Sequence, residues 1–310
     1  MNARGKTAGI RGSVGALLTL AVAALAGCGL GPGESRGTAD LLVTRDYGGE
    51  VMLQRDGLEL NESTTALRLL DDETDLETEY GGGFVQAVDG LAGGSEGGRR
   101  SDWFYSVNGV VAERGSAEFP ATDGDLVWWD YRDWTDAMEV GAVVGAYPAP
   151  LATGYDDRDW PVALECLGEI AACGLVRTQL AGDGVELAEG EASEDSIRVI
   201  VGAWPRLAAT PEGRRLAAGP ATSGVFAGFD RGGLTGLDVE ARPAREFGPD
   251  AGLVAAMRRG DRPPVWVITG GTERGVELGA AVLNPEDLGR RYAAVVFEGR
   301  VGSLPWGGSG

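Results

Sequence analysis

Between residues 40 and 135 the apolar positions fall mostly into short runs, as expected of strands joined by glycine-rich turns. Leu41-Leu42-Val43-Thr44-Arg45 predicts a first strand, Tyr47-Gly48-Gly49 a turn, and Val51-Met52-Leu53 a second strand. Ser63 or Thr64 supplies an N-cap for a short helix whose buried side is Ala66, Leu67, Leu69 and Leu70. Gly83 to Gly90 reads as a strand ending in a turn. The stretch Trp103-Phe104-Tyr105-Ser106-Val107-Asn108-Gly109-Val110-Val111 reads as a hairpin, and Leu126 to Arg132 as an aromatic strand. Several strands around one helix predict an α+β domain with a mostly antiparallel sheet.

Beyond residue 136 the texture changes, and Tyr147-Pro148-Ala149-Pro150 marks a linker or strand border. Strands are expected at Ser196–Gly202, Gly224–Ala227, Val265–Thr269 and Ala293–Phe297. The continuous apolar run Val265–Thr269 suits a strand covered on both faces. Helices are expected after Thr210, with Pro211 at the first position, over Asp250–Arg259, and over Glu273–Leu283 after Thr272. This alternation predicts a separate α/β domain over 140–310.

Strand arithmetic puts Trp103, Tyr105 and Val107 on one face and Phe104 and Ser106 on the other. In the second aromatic strand Leu126, Trp128 and Asp130 oppose Val127, Trp129 and Tyr131. Asn108-Gly109 fits a type I′ turn, because both residues tolerate positive φ. One face can pack on Leu67 and Leu70; the other must meet the second domain, a ligand or solvent.

The amino terminus follows a different rule. Arg4, Lys6 and Arg11 precede an apolar run, Ser13–Ala24, that is short for a membrane span, as expected of a signal peptide. Leu25-Ala26-Gly27-Cys28 resembles the bacterial lipobox, which implies cleavage after residue 27, lipid on Cys28, and a place on the outer face of the cell membrane; the competing reading is an ordinary secretory signal with an incidental cysteine. Residues 28–39, rich in glycine with Pro32 and Ser35, read as a flexible tether.

Charge and composition narrow the chemistry. The chain of 310 residues has 27 basic and 47 acidic side chains, a net charge of -20 that repels nucleic acid. It has no histidine, which excludes Ser-His-Asp and Cys-His catalysis. Its single lysine, Lys6, lies in the leader. No nucleophile-base pair or metal cluster is discernible, so no enzyme, cofactor or metal is expected. Asp71, Glu73 and Asp75 alternate like calcium ligands, but Leu76 occupies the position an EF-hand reserves for glycine. Ile268-Thr269-Gly270-Gly271-Thr272 matches no phosphate-binding spacing and reads as a tight turn.

Cys166 and Cys173 lie in WPVALECLGEIAACGLV, which composition alone makes a helix. Seven residues of helix rise about 10.5 Å, whereas a disulfide needs α-carbons within roughly 7 Å. Outside the cytoplasm two such cysteines pair, which requires the helix to break, with Gly168 the obvious place; the alternative is two buried thiols on an intact helix.

The order of Tyr80-Gly81, Gly83-Phe84-Val85, Val88-Asp89-Gly90, Trp103-Phe104-Tyr105-Ser106-Val107-Asn108-Gly109 and Asp123-Gly124-Asp125 before a Trp/Tyr strand resembles the DUF4430 family. That family is similar to the C-terminal β domain of transcobalamin and intrinsic factor. The resemblance implies a β-grasp-like fold over 40–135. It also implies Trp103, Tyr105 and Asn108 at a ligand edge, with Trp129 and Tyr131 supporting the neighbouring strand. The implied ligand is a corrinoid such as cobalamin, held against a helical barrel. This chain carries no such barrel, so capture would need the C-terminal domain, or a barrel or transporter partner. Two functions follow as expectations: a lipid-anchored binding protein accessory to cobalamin or micronutrient uptake, or a surface structural and protein-interaction module with no small ligand.

Overall fold

The computed structural model describes residues 36–307 except 191, 231 and 232. The expected leader, the expected lipid site at Cys28 and the expected tether as far as residue 35 lie outside the described residues, whereas Thr38 and Ala39, expected in the tether, are strand.

The first half builds β1 (Thr38–Arg45), β2 (Glu50–Glu59), α1 (Ala66–Asp71), β3 (Leu76–Glu79), β4 (Phe84–Val88), β5 (Leu91–Ala92), β6 (Gly94–Glu96), β7 (Arg99–Val107), β8 (Val110–Val111) and β9 (Leu126–Asp133). The main sheet runs β2-β1-β9-β7-β6, with β8 hairpinned on β7; β3-β4-β5 form a small separate sheet. Every pairing is antiparallel except β1 with β9, which run parallel from Asp40 against Leu126 to Arg45 against Tyr131. The cap of α1 is Thr65, whose Oγ1 accepts from Arg68 N, one residue past the expected pair. Ala66, Leu69 and Leu70 are buried, and Leu67 packs at the margin.

The second half builds β10 (Val162–Cys166), α2 (Ala171–Gly182), β11 (Ile197–Val201), α3 (Trp204–Leu207), α4 (Pro211–Ala217), α5 (Pro220–Ser223), β12 (Ala227–Asp230), β13 (Gly233–Leu237), β14 (Pro243–Gly248), β15 (Gly252–Met257), β16 (Val265–Gly270), α6 (Glu273–Ala281), α7 (Pro285–Leu288), β17 (Ala293–Phe297) and β18 (Arg300–Leu304). Its large sheet runs β10-β11-β16-β15-β17-β18, the first three strands parallel and the rest antiparallel; β12, β13 and β14 form a meander. The chain is thus a mixed α/β, strand-rich protein.

Three sequence expectations change here. The stretch around the cysteines is strand, turn and helix: β10 ends at Cys166, Gly168 takes φ +112°, and α2 starts at Ala171. The alanine content of that stretch favours helix, but pairing with β11 claims its first half. Asp250–Arg259 is not helical either. All six residues of β15 are buried between β16 and β17, so a Gly-Leu-Val-Ala-Ala-Met run becomes the centre of a sheet. Gly224 to Phe226 precede β12, because Gly224, at φ +73°, caps α5 instead. Elsewhere the caps hold: Thr210 Oγ1 and Thr272 Oγ1 accept from Gly213 N and Gly275 N.

Three hydrophobic clusters organise the fold. One lies between the main N-terminal sheet and α1 with the β4 hairpin, and contains Leu41, Val43, Trp103, Val127 and Trp129. Another covers the α2 and α6 side of the C-terminal sheet. The third is shared, joining Leu42, Tyr47 and Trp128 to Val143, Phe226, Leu253 and Tyr292. Alternation along β1 and β9 therefore feeds two cores, and the described chain packs as one compact unit.

Candidate functional site

The hairpin tip between β7 and β8 forms where expected. Asn108 has φ +53° and Gly109 φ +75°, both in the left-handed region a type I′ turn requires. The tip is not open. Asn108 is 2% exposed; its Nδ2 donates to Asp125 Oδ1 (2.9 Å) and Gly154 O (3.1 Å), and its Oδ1 accepts from Leu126 N (3.0 Å). Gly109 O accepts from Val143 N at 2.9 Å, and a Cβ on Gly109 would lie 2.8 Å from Val143 O. The segment from Gly141 to Gly154 is thus bound to the tip, and burial pushes the Asp125 carboxyl upward.

Four of the five residues singled out from sequence come together on one face, Trp103, Tyr105, Trp129 and Tyr131, while Asn108 is held at the tip with Asp125, Leu126 and Gly154. Tyr105 stacks on Trp129 with ring centres 4.9 Å apart, and Trp103 lies 5.4 Å from Tyr131. Their polar ends turn to the chain itself: Trp103 Nε1 donates to Leu91 O (2.9 Å), Tyr105 Oη to Arg114 O (2.6 Å), and Tyr131 Oη to Ala92 O (3.0 Å). Trp103 and Trp129 are buried, while Tyr105 and Tyr131 are half-buried. Phe119 meets Tyr105 edge-on, and Tyr155 packs on Phe119. Burial raises the phenol pKa of both Tyr105 and Tyr131. In this structure the aromatic face is a core closed by β5, the 112–119 loop and Tyr155.

Sequence reasoning passed over the opposite face, where a polar network is buried between the halves. Asp130 accepts from Thr44 Oγ1 (2.5 Å), Tyr47 N (3.1 Å), Gly48 N (3.1 Å) and Tyr292 Oη (2.9 Å). Trp128 Nε1 donates to Thr44 Oγ1 at 2.8 Å. Arg132, 1% exposed, donates to Ala137 O and Met138 O and lies 3.9 Å over the Phe104 ring. Burial raises the Asp130 pKa, and Tyr292 is driven well above its ordinary value, chiefly by burial and then by the Asp130 charge. Tyr47 is pushed up to about 12, again by burial. The available signal was an aspartate on the same strand face as Trp128: a charge amid apolar neighbours needs donors supplied from elsewhere.

Two further features bear on chemistry. An open cleft of about 460 Å³ is lined by Leu164, Glu165, Ser193, Glu194 and Arg198 among others. Its arginine is already paired with Glu165 and Glu212, which raise its pKa, so the fork is not free for an anion. The cysteines do pair: Cys166 and Cys173 form a disulfide with α-carbons 6.0 Å apart, joining the end of β10 to the first turn of α2.

Residues 63–133, from just before α1 to the end of β9, match the family model DUF4430, described as a domain of unknown function. A search of the curated proteins finds no match.

Proposed function

We propose that this is a lipid-anchored, extracytoplasmic protein whose DUF4430 segment serves as a structural and protein-interaction module rather than as one jaw of a corrinoid clamp. The observation that carries the choice is the closed hairpin tip: the Asn108-Gly109 turn is bonded to Val143 and Gly154 of the same chain, where a ligand-facing tip would be free. Trp103 and Tyr105 likewise spend their donors on backbone carbonyls. The β-grasp-like reading of 40–135 draws support from the β2-β1-β9-β7 order, its parallel central pair, and α1 packed on one face. Anchoring through Cys28 rests on the sequence alone. For a contact surface, Tyr80 is 87% exposed and Phe84 37% exposed beside it on the β3–β4 hairpin.

The test has two arms. Purified protein incubated with cobalamin and desalted is expected to retain no corrin absorbance; a stoichiometric band would overturn the choice in favour of ligand capture. A photo-crosslinking residue at position 80, expressed in the native host, is expected to give a discrete protein adduct that the same probe at position 300 does not. Identical patterns from both positions would remove the case for an interaction surface on that hairpin.

A further inference from the structure

The C-terminal half carries three aromatic rings gathered around one cation. Phe247 of β14, Phe297 at the end of β17 and Trp306 just after β18 contact one another with centroids 4.7, 5.0 and 5.8 Å apart. Two of the three pairings are edge-to-face, so the rings are inclined to each other as the walls of a box. The Arg245 guanidinium carbon stands 5.2, 4.5 and 4.9 Å from the centroids of Phe247, Phe297 and Trp306. Arg245 and Phe247 are two apart on β14 and so share a face of that strand.

Two glycines make the box. A Cβ on Gly302 would lie 2.7 Å from Trp306 Cζ3, and one on Gly236 would lie 2.8 Å from Phe247 Cε2. The rings are therefore seated on bare backbone, and Trp306 N donates to Leu237 O at 2.7 Å to hold the turn that carries the indole. The Arg245 guanidinium makes no hydrogen bond or ion pair among the described residues, although acids outnumber bases by 47 to 27 along the chain. The rings are its partners, and a cation held by ring faces alone can be exchanged for another of similar size.

We infer that Phe247, Phe297 and Trp306 form an aromatic cage for an organic cation of the quaternary-ammonium class, with Arg245 as its resident occupant and gate. Such a cation has no hydrogen-bond donors, and this box offers only ring faces. It enters when Arg245 swings out to solvent, a move that breaks no hydrogen bond. If Arg245 fills the cage nine-tenths of the time, the apparent affinity is about tenfold below that of the open cage.

The experiment is saturation-transfer NMR on the full chain with choline, alongside its neutral isostere 3,3-dimethylbutan-1-ol. Wild type is expected to give a saturable choline signal and none from the isostere. Arg245→Ala is expected to tighten choline about tenfold, a gain that misfolding cannot mimic. In the Arg245→Ala background Gly302→Ala, which must displace Trp306, is expected to abolish that gain. Equal signals from choline and the isostere, no saturable choline signal from wild type, or no tightening in Arg245→Ala would each overturn the inference.

Discussion

Tyr292→Phe removes one oxygen from the buried seam between the halves and leaves the ring in place. In the native protein Tyr292 Oη donates to Asp130 at 2.9 Å, while its ring packs edge-on against Tyr47 and Trp128 at 5.0 and 5.5 Å. The phenylalanine keeps those ring contacts, so the loss is that of the hydrogen bond. Bonds to charged groups contribute about 1.5–3 kcal/mol each, and Asp130 is 2% exposed and so shielded from bulk solvent. Three donors remain on the carboxylate, from Thr44, Tyr47 and Gly48, so the variant folds. At about 2–4 °C per kcal/mol for a chain of this size, the melting temperature should fall by about 3–12 °C. Thermal unfolding followed by tryptophan fluorescence measures it, and Trp128 reports from beside the substitution. A cycle with Thr44→Val, which removes the donor to the other Asp130 oxygen, should show coupling of at least about 0.5 kcal/mol. A Tyr292→Phe protein as stable as wild type would refute the reasoning, for Asp130 would then not depend on a donor from the second half.

Two other predictions follow from the same structure. Burial raises the Asp130 pKa above its unfolded value, so the folded state holds this proton more tightly and its contribution to stability rises as pH falls through the folded pKa. The stability difference between wild type and Asp130→Asn, taken from urea curves at a series of pH values, should therefore shift in favour of wild type on acidification, and an invariant difference would contradict the assignment. Replacing Cys166 and Cys173 together by serine opens a loop of sequence separation 7 and should cost about 2.5 kcal/mol by chain entropy; the non-reduced wild-type protein should show no free thiol from this pair on labelling after denaturation.

Much of the first half was legible residue by residue. Asn108-Gly109 specified its turn because few residue pairs accept two positive φ values, and the period-2 arithmetic divided Trp103 and Tyr105 from Phe104 correctly. Thr210-Pro211 and Thr272 announced their helices by local chemistry, since a cap hydroxyl and a helix start lie within a few residues of each other. The cysteine pair could be argued because helix rise and disulfide reach are incompatible, and Gly168 is where the backbone turns. The errors lay where propensity competes with long-range pairing: Gly252–Met257 is a strand only because β16 and β17 flank it.

The candidate site was legible as a constellation and not as an environment. Sequence alone determined that Trp103 shares a strand face with Tyr105 and Trp129 with Tyr131, and that a tight turn ends the hairpin, because these follow from the geometry of a single strand; the pairing of β7 with β9 then puts all four rings on one face. What covers that face depends on Leu91, Phe119 and Tyr155, what closes the tip depends on Val143, and what meets Asp130 depends on Tyr292, 162 residues away. Burial and hydrogen-bond partnership are properties of two surfaces together, and only the tertiary structure brings the second surface to the first. It converts an aromatic edge expected to await a ligand into a closed core, and places the exchangeable cation among three rings that no local pattern unites.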